Sequence, residues 1–173
     1  VQIWDTRDWS LYRLLSIGDS GDNMITDFVM APDNHTVAIA FVDMTGRYYK
    51  DRIQIVNIDD GSVERTLELA DSEFRVAIQP ISISPDGKTL VSLSIEGDYT
   101  VPGGRIERLR LWRSGNWELV STIDVIQSNQ SKGWVYERKN AIAWSPDGAI
   151  FALGVPDGTL QIRRADDGEL ISA

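Results

Sequence analysis

The chain has 173 residues, with 26 acidic and 17 basic side chains, a formal charge of −9, one histidine and no cysteine. This acidic balance argues against a duplex nucleic-acid binder and against docking on anionic lipid, since both need a basic face. Disulfides, thiolate metal centres and multi-histidine metal sites are excluded, and no apolar run approaches the roughly 20 residues of a membrane-spanning helix.

The sequence opens in mid-pattern, without a methionine, on "VQIWD". Apolar and polar residues alternate there, with Val1 and Ile3 on one face, as a half-buried strand requires. A polar turn, "DTRDWS", leads into a second apolar stretch, "LYRLLSI". After "GDSGDN" comes "FVMAPDNHTVAIAF" (Phe28–Phe41): an alternating run, a Pro-Asp-Asn turn, and another run. Proline presets φ, aspartate bonds the backbone ahead, and Asn or Gly tolerates positive φ, so the phrase predicts a β-hairpin. "RIQIVN" and "VERTLEL" come next, separated by the tight turn "NIDDGS".

The same order then returns twice. "ISISPDGKTLVSLS" (Ile81–Ser94) is the second hairpin, followed by "RLRLWR", the turn "RSGNW" and "ELVSTIDV". "AWSPDGAIFALGV" (Ala143–Val155) is the third, followed by "TLQIRR", "ADDGE" and "ELISA". With the four strands of a unit named a to d, the chain reads c-d, then a-b-c-d three times. Ile53/Ile55, Leu109/Leu111 and Leu160/Ile162 repeat on one face of strand c. A period of roughly 50–60 residues lies in the range of stacked repeat architectures. Four antiparallel strands per unit, none able to bury both its faces alone, predict an all-β fold, a β-propeller. The expected organisation is one incomplete ring: a half blade over 1–17 and blades over 24–69, 78–125 and 140–173.

These residues resemble the blades of the WD-repeat β-propeller family. The Trp-Asp pair closing strand c in that family is Trp4-Asp5 here. The corresponding pairs are Val56-Asn57, Trp112-Arg113 and Arg163-Arg164, and the family's Gly-His dipeptide before strand a is missing from every unit. Asp157, in "VPDGT", matches the family's aspartate before strand c. The resemblance implies a protein-interaction module without catalysis.

Three and a half units leave two apolar terminal faces unpaired, and propellers have four to eight blades. The expectation is that the chain continues or that another chain covers those faces. Self-association of two half-rings is the weaker option, because the half blades would not complement each other.

Antiparallel pairing sends the a-b and c-d turns to one rim and the b-c and d-a connections to the other. The short turns all belong to the first rim. The long segments, "DMTGRYYKDR", "ADSEFRVA", "EGDYTVPGGRIER" and "IQSNQSKGWVYERK", all belong to the second. Long loops on a rigid scaffold are where binding concentrates. Six of the fifteen aromatics lie in them, with basic residues that include Arg47, Lys50, Arg105 and Lys132. Aromatic and arginine side chains anchor interfaces, so Tyr48, Tyr49, Arg52, Phe74, Arg75, Tyr99, Trp134, Tyr136 and Arg138 are the candidate partner-binding residues, for a protein or peptide. The turn rim carries Asp5, Asp8, Asp33, Asp59, Asp60, Asp86, Asp147, Asp166 and Asp167, which read as turn formers. Trp4, Trp112 and Trp144 are expected between blades, Trp9 and Trp117 over a blade rim, and His35 as an exposed hairpin residue.

No catalytic set, metal site or cofactor is expected, and a cytoplasmic setting is. The alternative is an enzyme or metal-dependent sensor with Asp19, Asp22, Asp43 and Glu96 converging at the channel mouth, since oxygen ligands suit calcium.

Overall fold

Alternating sequence becomes paired strands throughout the computed structural model, which describes residues 1–16, 23–43, 50–69, 77–97, 104–128, 141–155 and 157–173. Strands β1 (Gln2–Trp4) and β2 (Leu11–Leu14) form a two-stranded sheet. Strands β3 (Asn23–Met30), β4 (Thr36–Asp43), β5 (Lys50–Asn57) and β6 (Val63–Glu68) form the second sheet in sequence order. Strands β7 (Ala77–Ile83), β8 (Thr89–Gly97), β9 (Arg105–Arg113) and β10 (Glu118–Ser128) form the third. Strands β11 (Ile142–Trp144), β12 (Ile150–Gly154), β13 (Leu160–Arg164) and β14 (Leu170–Ser172) form the fourth. Every pairing is antiparallel. These are meandering propeller blades, and among the described residues they do not close a ring.

Period-two alternation explains the stacking, because successive side chains leave opposite faces of a strand. On β4, Val37 and Ile39 enter one apolar cluster with Val1, Ile3 and Leu15 of the first sheet. Ala38 and Ala40, which alternate with them, enter a second cluster with Ile53, Ile55, Ile81, Ile83, Leu90 and Trp112. On the third sheet the next face carries Val91, Leu93, Leu109 and Leu111, which meet Phe151, Leu153 and Trp144 of the fourth. The two middle sheets are thus buried on both faces. Most of these side chains are fully covered, and each fully buried Val, Leu, Ile or Phe contributes about 1.5–3 kcal/mol of transfer energy.

The turns use the residues the sequence pointed to. In the a-b turns, positive φ falls at Asn34, Gly87 and Gly148. Asp86 accepts bonds from the Ser84 hydroxyl (2.6 Å) and the Lys88 amide (3.0 Å), and Asp147 does the same with Ser145 and Ala149. In the c-d turns an amide bonds the carbonyl four residues back: Trp9 to Asp5, Gly61 to Asn57, Trp117 to Arg113 and Gly168 to Arg164. The residue before each, Asp8, Asp60, Asn116 or Asp167, accepts from the amide two positions on. Asp5, Asp8, Asp33, Asp60, Asp86, Asp147 and Asp167 are turn formers, as expected, whereas the Asp59 carboxylate meets His35 and Tyr12 and that of Asp166 meets Arg164. Two are held low at about 2 by arginine hydrogen bonds, Asp5 by Arg7 and Asp167 by Arg164.

Gly168 is the tightest of these turn positions. Its φ is +76°, and an added Cβ would run into Ile123 Cδ1 and Leu111 Cδ1 of the third sheet. Gly158 has φ +93° but open space around it. Gly158→Ala should cost about 1 kcal/mol, the backbone penalty alone. Gly168→Ala should cost about 1–3 kcal/mol more, because the Ile123 side chain, or the fourth blade itself, must shift to admit the methyl. Urea unfolding of the two variants checks the difference, and equal losses would deny the close approach.

One expectation needs correcting. Trp112 is buried and Trp144 packs beside Phe151 with ring centroids 5.1 Å apart, but Trp4 is 48% exposed and Trp9 is 72% exposed. The physical reason is position: Trp4 alternates with Ile3 and so stands on the face of β1 turned away from the second sheet, where no described blade precedes it, while Trp9 sits in the turn, on the rim. Phe28 and Met30 of β3 are exposed for a related reason, since among the described residues the first sheet has only β1 and β2 and no strands a and b to cover them.

Candidate binding face

The a-b turns stand side by side: a methyl group on Gly87 would touch Pro32, and one on Gly148 would touch Asp86 and Pro85. The turn rim is therefore common to the three full blades. On this rim Asp59 also links blades: its carboxylate meets His35 Nδ1 at 2.6 Å and accepts from Tyr12 Oη at 3.1 Å. Arg13 donates to the Asp59 carbonyl. His35 is exposed, as the sequence suggested, and its Asp59 partner is new.

The opposite rim carries the ends where Asp43 pairs with Lys50, Gly97 with Arg105, and Arg105 with Ser128. From these ends depart the segments 44–49, 98–103 and 129–140, and 70–76 joins the second sheet to the third. Tyr48, Tyr49, Phe74, Arg75, Tyr99, Trp134, Tyr136 and Arg138 lie outside the described residues. Arg52 is described: it sits on β5, opposite Phe41, with its Nε 3.6 Å from Glu68 Oε1. Its position opposite Phe41 turns it toward the half-blade side of the second sheet.

Beneath this rim the third blade holds a charged network. Glu96 is 5% exposed; its Oε1 meets Arg110 Nη2 and its Oε2 meets Arg108 Nη1, both at 2.6 Å. The Ser94 hydroxyl donates to Glu96 Oε1 (2.9 Å) and accepts from Arg110 Nη1 (2.7 Å). Arg108 reaches on to Asp124 at 2.8 Å. Burial pushes the Glu96 carboxyl up; the hydrogen bond and charge of Arg110, with Ser94 and Arg108, more than offset it and hold the group below its ordinary range. The Asp124 hydrogen bond, against some desolvation and with help from Glu96, raises Arg108. One step toward the turn rim, Trp112 Nε1 donates to Ser92 Oγ at 3.0 Å. That retains an indole–hydroxyl pair in the third blade although the Gly-His dipeptide is missing.

Sequence reading singled out Glu96 as a possible metal ligand and missed its arginines. The signal was available. Ser92, Ser94 and Glu96 alternate on β8 while Arg108, Arg110 and Trp112 alternate on β9, and the observed register places both sets on one face. Both Glu96 oxygens are already taken by guanidinium groups. Asp19 and Asp22 lie outside the described residues, and Asp43 is placed only as the end of β4. Among the described residues no group of three or more acidic or histidine side chains gathers in metal-binding reach. No helix among them is long and apolar enough to cross a membrane.

Known proteins share parts of this pattern. No family model matches the chain. It is 25% identical over 127 residues to the WD repeat-containing protein VIP3 of Arabidopsis thaliana, covering 69% of this chain and 34% of that protein. Among solved structures, hydrazine synthase of Kuenenia stuttgartiensis aligns over 95% of this chain and 46% of its own, with TM-score 0.70 and 15% identity. The Dos1 propeller aligns over 98% of this chain and 37% of its own, with TM-score 0.61 and 14% identity. The chain thus spans about a third of the curated relative and under half of these structures. The two structures speak to fold alone, and one of them is an enzyme.

Proposed function

We propose that this β-propeller segment, similar in sequence to a WD-repeat protein, is a non-catalytic protein- or peptide-binding or scaffold module working in the cytoplasm. The observation that carries this reading is the division of the rims. Every described turn of the a-b and c-d type is tight and closed by its own hydrogen bonds. The strand ends from which the long aromatic segments depart belong to the other rim. A rigid stack of sheets holding its long connections together is a platform for a partner. The anchors are Tyr48, Tyr49, Phe74, Tyr99, Trp134 and Tyr136, with Arg52, Arg75 and Arg138 beside them. The Glu96 network braces the strand ends on either side of segment 98–103. Interaction is also the general theme that the WD-repeat resemblance carries.

A peptide-display selection against the folded chain tests this. Enriched peptides should bind Trp134→Ala or Tyr49→Ala at least about tenfold more weakly. An Asp166→Ala control on the turn rim should bind as the parent does. Binding that survives alanine at all six loop aromatics would reject this rim as the platform. The alternative, a carboxylate site for metal at the channel mouth, would have to compete with two arginines for Glu96. Calcium titration by calorimetry separates the two, since heat with a rise in melting temperature belongs only to the alternative.

A further inference from the structure

Strand c buries the same position in each full blade, and only the fourth blade puts a cation there. Val56, Trp112 and Arg163 are all buried, Arg163 at 6% exposure. Each pairs with the start of its strand d, at Val63, Leu119 or Leu170. On its other side Arg163 pairs with Phe151, and Gln161 pairs with Leu153. Directly opposite residues share a face of the sheet. Both polar side chains therefore stand on the face that meets Val91, Leu93, Leu109 and Leu111 of the third blade.

Arg163 is held by its own blade alone. Its Nε and Nη2 donate to Gln161 Oε1 at 3.0 and 2.8 Å, and its Nη1 donates to the Gly168 carbonyl at 2.7 Å. Both acceptors are neutral, and no carboxylate among the described residues pairs with it. Arg110, equally buried, has Glu96. Burial pushes the Arg163 guanidinium down, and no neighbouring charge offsets this. Arginine keeps its proton in proteins, so the charge cannot be shed. Gly168 seals it in, since its turn approaches Ile123 and Leu111 too closely to admit a Cβ. The third blade thus strips water from a cation and offers it no acceptor, which is costly. When the seam opens, Arg163 keeps its bonds to Gln161 and Gly168 and regains water. The strand-a side of the seam is different: there Trp144 Nε1 donates across it to Ser82 Oγ at 3.0 Å.

We propose that the seam between the third and fourth blades is a joint that opens at strand c while the strand-a tie holds, and that Arg163 sets how readily it opens. Both walls of the seam lie inside the chain, so the joint does not depend on what adjoins either end. Segment 129–140 runs from the end of β10 in the third blade toward β11 in the fourth, so opening moves its two ends relative to each other. With Trp134, Tyr136 and Arg138 as partner anchors, the joint regulates the platform. That regulation rests on the binding reading above; the opening itself does not.

Hydrogen exchange of the whole chain in low urea, followed by mass spectrometry, tests this. Gln161→Glu puts a carboxylate where Oε1 already receives Nε and Nη2. Amides of β12 and β13 should then exchange about tenfold or more slowly, with those of β4 and β5 unchanged. Arg163→Met makes the position apolar, as Val56 and Trp112 are, and should act in the same direction. The double variant, with a carboxylate and no cation, should exchange faster than either single one. Gln161→Glu keeps the Gly168 bond, so it decides the matter if Arg163→Met does not fold. Exchange in Gln161→Glu as fast as in the parent, or faster, would overturn the proposal. Slowing shared equally by β4 and β5 would overturn it too, because the seam would then not open by itself. No partner is present, so the result is read apart from the peptide selection.

Discussion

Arg110→Ala is expected to lower the unfolding free energy by about 3–5 kcal/mol, the range for removing one partner of a buried ion pair. Arg110 is 4% exposed and ties two groups at once, the Glu96 carboxylate and the Ser94 hydroxyl. Its loss leaves Glu96 Oε1 with Ser94 as its remaining contact while Oε2 keeps Arg108. Glu96→Leu should be similarly costly, because it strands Arg110 at an interblade face. The double substitution Glu96→Leu/Arg110→Met should cost less than the sum of the singles, since no buried charge is then left uncompensated. Urea midpoints with unchanged m-values measure this, and additive losses would mean the pair is not coupled.

The same network has a pH signature. The Glu96 carboxyl is held below its ordinary range in the folded chain, so the folded state binds this proton less readily than the unfolded one. Its stabilising contribution is fully present above the ordinary glutamate value near 4.5 and is lost as pH falls through the lowered folded value. Glu96→Gln should be less stable at neutral pH and should flatten the acid limb of the stability curve. A variant whose acid limb matched the parent's would show that other carboxylates dominate there.

Phe151→Ala is expected to cost about 3–5 kcal/mol, and Phe28→Ala less than about 0.5 kcal/mol. The two phenylalanines sit on blades of the same design, yet Phe151 is fully buried and Phe28 is 56% exposed. Phe151 fills the contact between third and fourth blades, beside Trp144. Phe28 faces the place beside β1 where a full blade would put strands a and b. Thermal or urea unfolding of both variants therefore reads out the stacking order directly. Comparable losses would mean that something covers Phe28 in solution.

Strand alternation and turn chemistry are local properties, and the sequence alone determined both. "SPDG" with alternating apolar neighbours specifies a hairpin because proline, aspartate and a positive-φ residue act within four positions. The hairpin–strand–strand order specifies the blade, and antiparallel pairing alone sends the long segments to one rim. Arg52 could be placed on a strand near that rim. Its pairing with Glu68, and the turn of its backbone position toward the half blade, could not be read from composition.

Tertiary structure decided whatever depends on which faces meet. Glu96 looks like a free carboxylate at a loop in the sequence; cross-strand register makes it the centre of a two-arginine network. Trp4 looks like a core tryptophan, and only the absence of a blade before it among the described residues leaves it in solvent. Period-two patterning says which residues share a face, but the energy of a face belongs to the neighbour that covers it.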